Sequence, residues 1–312
     1  MAGAVEHLDS SMPCPTSGVR PASGRHIRRS GVIRPNNLPE GESKRRQWEE
    51  QHIKVKQMKC YFDGSKQSGP DGHWWLTLAG YIAPDHFWNR FETEWNFEVL
   101  QKREPHAPYL HMTDLLTGNK VFTGWSAERR QALIMDALNY LQFRPKLAFR
   151  AVVCTIDTTA REKLLEERYR ITDPHVVCGQ CAVGAAFDWY YEHHPEGIEL
   201  GHICFDRNEK FMHPLRQQWQ RKKKEERSSP VITDRFWGLI VAVDDCEMGK
   251  TPALQAADLL AWATSRQHFQ KERPYLYLAE IMRKVIPHSW LTLDENTLRS
   301  VHKHDLEPER AE

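Results

Sequence analysis

No run in this chain approaches the roughly 20 consecutive apolar residues that a membrane-spanning helix requires, so no membrane partner is expected. The N-terminus has no secretory apolar region, and Glu6 and Asp9 argue against an organellar transit peptide. Neither sign of charge dominates: 43 Lys and Arg face 42 Asp and Glu, and overall charge therefore implies no particular partner. Cysteine is scarce and unpaired. Seven, an odd number, are scattered through predicted strands and helices, which fits a reducing cytoplasm rather than a disulfide framework. The one CxxC, Cys178-Gly-Gln-Cys181, has no second pair at short range for zinc and no thioredoxin-like setting for redox work. Its neighbours Val176, Val177, Ala182 and Val183 make it part of an apolar helix. No internal repeat is visible.

What charge there is, is unevenly placed. Five arginines and no acid lie between Arg20 and Arg34. Residues 1–52 are rich in Pro, Gly, Ser and Arg without an apolar period and are expected to be a disordered basic tail, leaving 53–312 as one domain. A second basic run, Arg221-Lys222-Lys223-Lys224, is either a solvated face or a contact for nucleic-acid phosphates.

The patterning predicts alternating elements. Strands over 55–63 and 74–82 form a hairpin through the turn-rich Ser68–Gly72, and a helix follows Pro84-Asp85 with Trp88, Phe91, Trp95 and Val99 on one stripe. Ser126 caps a helix that Pro145 forbids from continuing. A strand over 147–156, helices over 159–169 and 174–193, a strand over 198–206, a helix over 212–224 and a strand over 231–243 come next. Thr251-Pro252 opens a last helix.

Three acids stand out against this pattern. Asp63 closes the first predicted strand, Asp206 closes the strand Ile203–Asp206, and Asp258 interrupts the apolar helix Pro252–Trp262. Carboxylates are seldom left among buried apolar residues unless paired or bound to a cation. Each has another reading: Asp63 before Gly64-Ser65 suits a turn, Asp206 could cap the next helix, and Asp258 could cap a neighbouring element. Taken together they indicate a site for a hard divalent ion, magnesium or manganese, held by oxygen ligands. Glu209 follows Asp206 closely enough to assist. Gln255, three residues before Asp258, shares its side of the helix, and His111 and Asp114 form a further polar pair. Trp74, Trp75 and Trp125 lie near predicted turns, either as core residues or as surfaces on which bases stack.

Five segments, Tyr61–Ser65, Leu78–Tyr81, Leu110–Asp114, Cys204–Phe211 and Leu254–Trp262, resemble in order the motifs of the mostly bacterial and phage domain-of-unknown-function 3800 family. That resemblance implies an α/β, ribonuclease-H-like fold: a mixed sheet flanked by helices, with a helical insertion after the second strand and acids on the first strand, the fourth strand and the final helix. It also implies metal-dependent hydrolysis of phosphodiester bonds in RNA or DNA. Asp63, Asp206 and Asp258 would be the metal ligands, Glu209 would join them in catalysis, and His111, Asp114 and Gln255 would be auxiliary. A module that binds nucleic acid on the same fold without cutting it is the alternative. The chain departs from the resemblance at the first motif, often Asp-Glu-Ser-Gly, where Gly64 and Lys66 replace the acid and the glycine. Nor has it an obvious equivalent of the glutamate that ribonuclease-H enzymes carry on their first helix.

Overall fold

The computed structural model describes residues 57–69, 72–142, 149–167, 169, 173–193, 200–207, 209–228, 240–267 and 273–301. The tail expected over 1–52 lies outside the described residues. No helix among the described residues is long and apolar enough to cross a membrane.

The protein is an α/β structure on a six-stranded mixed sheet. The strands are β1 (Gln57–Ser68), β2 (Trp74–Pro84), β3 (Arg150–Asp157), β4 (Leu200–Asp206), β5 (Ile240–Cys246) and β6 (His288–Leu293), in the spatial order β5-β4-β1-β2-β3-β6. β1, β2 and β3 form an antiparallel meander. β4 joins β1 in parallel, β5 joins β4, and β6 joins β3. Parallel neighbours need crossovers, and helices supply them. α1 (Asp85–Trp95), α2 (Met112–Thr117) and α3 (Ala127–Gln142) form the expected helical insertion between β2 and β3. α4 (Thr158–Glu166) and α5 (Pro174–His193) precede β4, and α6 (Met212–Ser228) follows it. α7 (Pro252–Gln267), α8 (Arg273–Val285) and α9 (Glu295–Val301) complete the described chain.

Strand alternation divides the core into two layers. Tyr61, Ala79, Tyr81 and Cys204 face α1, α3 and α7, while Cys60, Phe62, Leu78 and Phe205 face α5 and α6. The first layer is dominated by aromatics: Phe91 stacks on Trp95 at 5.5 Å and meets Tyr140 edge-on at 5.3 Å. Trp88 donates from its Nε1 to Lys59 O at 2.9 Å and Ala83 O at 3.1 Å, which ties α1 to the base of β1 and β2.

Two sequence expectations are corrected, and a third falls partly outside the described residues. β1 does not end at Asp63 but runs on to Ser68, because Gly64–Ser68 ladder with Leu78–Trp74 of β2. α7 is not the final helix; α8 and α9 follow, and between them β6 adds an edge strand that the sequence reading did not anticipate. β5 is described from Ile240 to Cys246, and the earlier part of the expected strand, 231–239, lies outside the described residues.

α7 is buried on every side from Pro252 to Ser265. Its alanines at 253, 256, 257, 261 and 263 allow close approach to β1 and β2. Gln255 fixes its N-terminal end: Oε1 accepts from Trp95 Nε1 and Leu110 N, both at 3.0 Å, and Nε2 donates to Met248 O at 3.2 Å. Replacing the amide with a group of similar size strands two buried donors. Gln255→Leu is therefore expected to destabilise the protein by about 2–4 kcal/mol, read as a lower urea midpoint. A midpoint equal to the wild type would show that α7 is held by its apolar contacts alone.

Candidate metal centre

The buried helix delivers Asp258 to Asp63. Asp63 is 8% and Asp258 5% exposed, and their carboxyl groups are in hydrogen-bonding contact. Burial pushes the Asp63 carboxyl well above the usual carboxylate range, and the negative charges of Asp258, Glu209 and Asp206 push it further; only the Gly64 N–H opposes. Burial raises Asp258 too, against the pull of His111, the Met112 N–H and Asp63. Both carboxyls are thus pushed up, and they titrate as a pair rather than as independent groups. Asp258 Oδ2 also accepts from Met112 N at 2.5 Å, at the first residue of α2. The capping reading of Asp258 is thus satisfied by the same carboxylate that meets Asp63.

Asp206 arrives at the same sheet end from β4. The parallel register Phe62↔Phe205 carries forward to set Asp206 beside Asp63, on the face that Cys204 and Tyr61 share with α7. Its Oδ1 accepts from Met248 N at 3.0 Å and so braces the connection into α7, in place of capping the helix that follows it.

Glu209 approaches from the other side. Its Oε2 accepts from Gly64 N at 3.0 Å and its Oε1 from Phe211 N at 3.3 Å. A Cβ on Gly64 would lie 2.6 Å from the Glu209 carboxylate atoms, so any side chain here displaces that carboxylate from this seat. By alternation that Cβ would point toward α5 and α6. Glu209 therefore stands across β1 from Asp63 and Asp258, near enough to raise Asp63 but not beside it. Among the described residues no three His, Cys, Asp or Glu side chains converge closely enough to hold an ion by themselves.

The auxiliary residues lie on the α7 side. His111 Nδ1 is 2.8 Å from Asp114 Oδ2, with the ring turned so that the contact is electrostatic rather than a directed hydrogen bond. Lys120 Nζ reaches the same oxygen at 2.9 Å and Tyr109 Oη donates to it at 3.3 Å. Burial pushes Asp114 up, but Lys120 and His111 outweigh it and hold its carboxyl below the ordinary range. Gln255 is one turn before Asp258 on α7, with its oxygen accepting the two structural bonds described above.

Other candidates are not brought to the carboxylates. Arg221 to Lys224 lie nine to twelve residues into α6, roughly 14–18 Å along its axis from the end that follows Glu209. Lys223 Nζ sits 4.6 Å from the Trp219 ring. Cys178 is fully buried and its Sγ donates to Cys154 O at 3.1 Å, a packed thiol on the α5 layer. Trp125 is covered by the Arg129 guanidinium at 3.4 Å, whereas Trp74 is 46% exposed.

One residue near the site was missed by sequence reasoning. His175 meets the Phe211 ring at 5.0 Å, beside Glu209, which burial raises against the Phe211, Lys210 and Gly64 N–H groups and, last, against His175. Asp173 caps α5 by accepting from His175 N at 2.8 Å, and the same Oδ1 stands 3.1 Å from His175 Nδ1. The signal was the string Asp173-Pro174-His175, a helix start with a histidine beside its capping acid. A histidine with an adjoining aspartate thus flanks the carboxylates on each face of the sheet.

No protein-family model matches the chain, and no curated protein matches it.

Two outcomes follow from the geometry. Asp63 binds its proton more tightly folded than unfolded, so in chelator the protein is expected to lose stability as pH rises from the unfolded carboxylate range through the raised pKa. Asp63→Asn should flatten that decline; denaturation midpoints at a series of pH values check it, and parallel curves for the two proteins would refute it. Gly64→Ala should cost about 1–3 kcal/mol by displacing the Glu209 carboxylate, and much less in a Glu209→Ala background. Equal costs in both backgrounds would mean the contact is not the cause.

Proposed function

We propose that the protein is a divalent-metal-dependent hydrolase of nucleic-acid phosphodiester bonds on a ribonuclease-H-like fold. The observation that carries this reading is the buried contact between Asp63 and Asp258, with Asp206 and Glu209 close enough to raise Asp63 further. Supporting the fold are a three-stranded antiparallel meander followed by parallel β4 and β5, and acids on the first strand, the fourth strand and the helix packed across β1 and β2. Two buried carboxyl groups in contact mark a place where positive charge is needed, and their oxygen donors suit magnesium or manganese. Two carboxylates also fit magnesium's habit of completing its shell with water and substrate phosphate rather than with a full protein cage. Asp63 and Asp258 would hold the ion and Asp206 would complete the protein's share. When bound, it would lower the pKa of a water and stabilise charge on the phosphoryl oxygens.

The chain's own groups have separate tasks in this reading. Glu209, held by Gly64 N–H and Phe211 N–H on the other side of β1, would act through its negative charge on Asp63. His111, which stands beside Asp114 on the same side of the sheet as Asp258, would hold or release a proton at the leaving oxygen, while His175 lies on the other side with Glu209. The α7 helix, buried all round, excludes water behind Asp258. Arg221 to Lys224 would act only on nucleic acid extending along α6. A non-catalytic nucleic-acid-binding module is favoured by one observation, the lack of a three-ligand group among the described residues.

Labelled single- and double-stranded RNA and DNA, incubated with magnesium or manganese and with chelator, separate the two. Cleavage is expected only with metal, and Asp63→Asn or Asp258→Asn should each reduce it by at least about a hundredfold, the scale of losing a principal charge-stabilising group. No cleavage of any substrate, or cleavage that survives both substitutions, would sink the hydrolase reading. Chelator-insensitive binding without cutting would support the binding module.

A further inference from the structure

The upper half of β1, beyond Asp63, carries a feature that the carboxylates do not use. Lys66 and Trp74 occupy the last turns of the β1–β2 ladder, on the face that Gly64 shares with Glu209. Trp74 is 46% exposed, and Lys66 Nζ stands 5.1 Å from its ring centre. The exposed indole is not loosely held: Trp74 N donates to Thr159 Oγ1 at 2.8 Å and Thr158 Oγ1 donates to Trp74 O at 2.8 Å. The first residues of α4 thus clamp the backbone on both sides. A platform held in advance loses little conformational freedom when a ring settles on it.

The lysine's charge rests over that indole rather than on a carboxylate. Lys59, Lys102, Lys120, Lys163 and Lys250 each pair with a carboxylate, whereas Lys66 makes no ion pair among the described residues. At about 3.3 Å per residue, Lys66 is roughly 7 Å along β1 from Gly64 and 10 Å from Asp63. An exposed indole with a lysine over one face, and no carboxylate among the described residues neutralising that lysine, matches an unpaired base on the other face followed by its phosphate, and a base paired in a duplex cannot offer its face.

We infer that Lys66 and Trp74 form a subsite for single-stranded nucleic acid, where Trp74 stacks one base and Lys66 holds the adjoining phosphate. The inference rests on the nucleic-acid reading of the carboxylate site and commits it to single strands.

The test is binding of short thymidine and uridine homopolymers, against duplexes of the same length, by the full chain in chelator, followed by tryptophan fluorescence. Single strands should bind more tightly and quench fluorescence. Trp74→Ala should weaken binding by roughly 5- to 150-fold and abolish much of the quench, and Trp74→Phe should retain most of the affinity. Lys66→Ala should make the dependence of log affinity on log salt shallower by about 0.7. Thymidine and uridine arms distinguish DNA from RNA. Unchanged binding by Trp74→Ala and Lys66→Ala, duplexes bound as tightly as single strands, or no binding at all would overturn the subsite. If those variants bind normally while the wild type still cuts with metal, the subsite fails and the hydrolase stands. If binding depends on Trp74 but nothing is cut with magnesium or manganese, the hydrolase fails and the subsite stands.

Discussion

The contact between Asp63 and Asp258 constrains everything around it. Two buried carboxyl groups cannot both carry charge without a cation or a shared proton, and burial raises the cost of any mistake. Such a contact survives only if both backbones are held from outside. β1 is held by ladders on both edges, to β2 and to β4. α7 is held by its own burial, by the Gln255 amide at one end and by Ser65 Oγ donating to Ser265 Oγ at 2.9 Å near the other. The protein spends a fully buried helix and an amide with three bonds on placing one aspartate.

Each acid near the sheet end also carries a structural bond. Asp258 receives the first N–H of α2, Asp206 receives Met248 N, and Glu209 receives Gly64 N. These bonds orient one oxygen of Asp258 and of Asp206 and leave the other to face its neighbours, while a second N–H, from Phe211, takes the remaining oxygen of Glu209. A carboxylate that caps an element and a carboxylate that meets an ion are therefore not competing descriptions here. Pre-orientation by backbone donors is what lets a charged group hold its position when its partner changes from a proton to something larger.

The acids were legible because they break apolar patterns, and α7 because an apolar segment of that length after Thr-Pro admits few other readings. The continuation of β1 was not. Gly64-Ser65-Lys66-Gln67-Ser68 has the composition of a turn, and only pairing with Leu78–Trp74 keeps it extended, a tertiary effect that overrides local preference. The same extension is what lines up Lys66 with Glu209. β6 is short and half exposed, with little alternation to mark it. His175 is placed by packing of α5 against α6, and nothing local to it signals Glu209. The partition of the acids, Asp63 toward α7 and Glu209 toward α5, needed the strand's register and could not be read from spacing alone.

That register is the last piece of the argument. Because successive side chains of β1 point to opposite faces, Asp63 and Gly64 serve opposite layers: one meets Asp258, the other leaves room for Glu209. A slip of one residue would put a side chain into the Glu209 seat and turn Asp63 away from α7, so both halves of the site would fail together. Phe62 in one core layer and Tyr61 in the other make such a slip costly, since each would exchange an aromatic pocket for the wrong one. Gly64 thus does more than extend the strand. It is the space that admits Glu209 to the sheet end, where its charge acts on Asp63 through the one position of β1 that has no side chain.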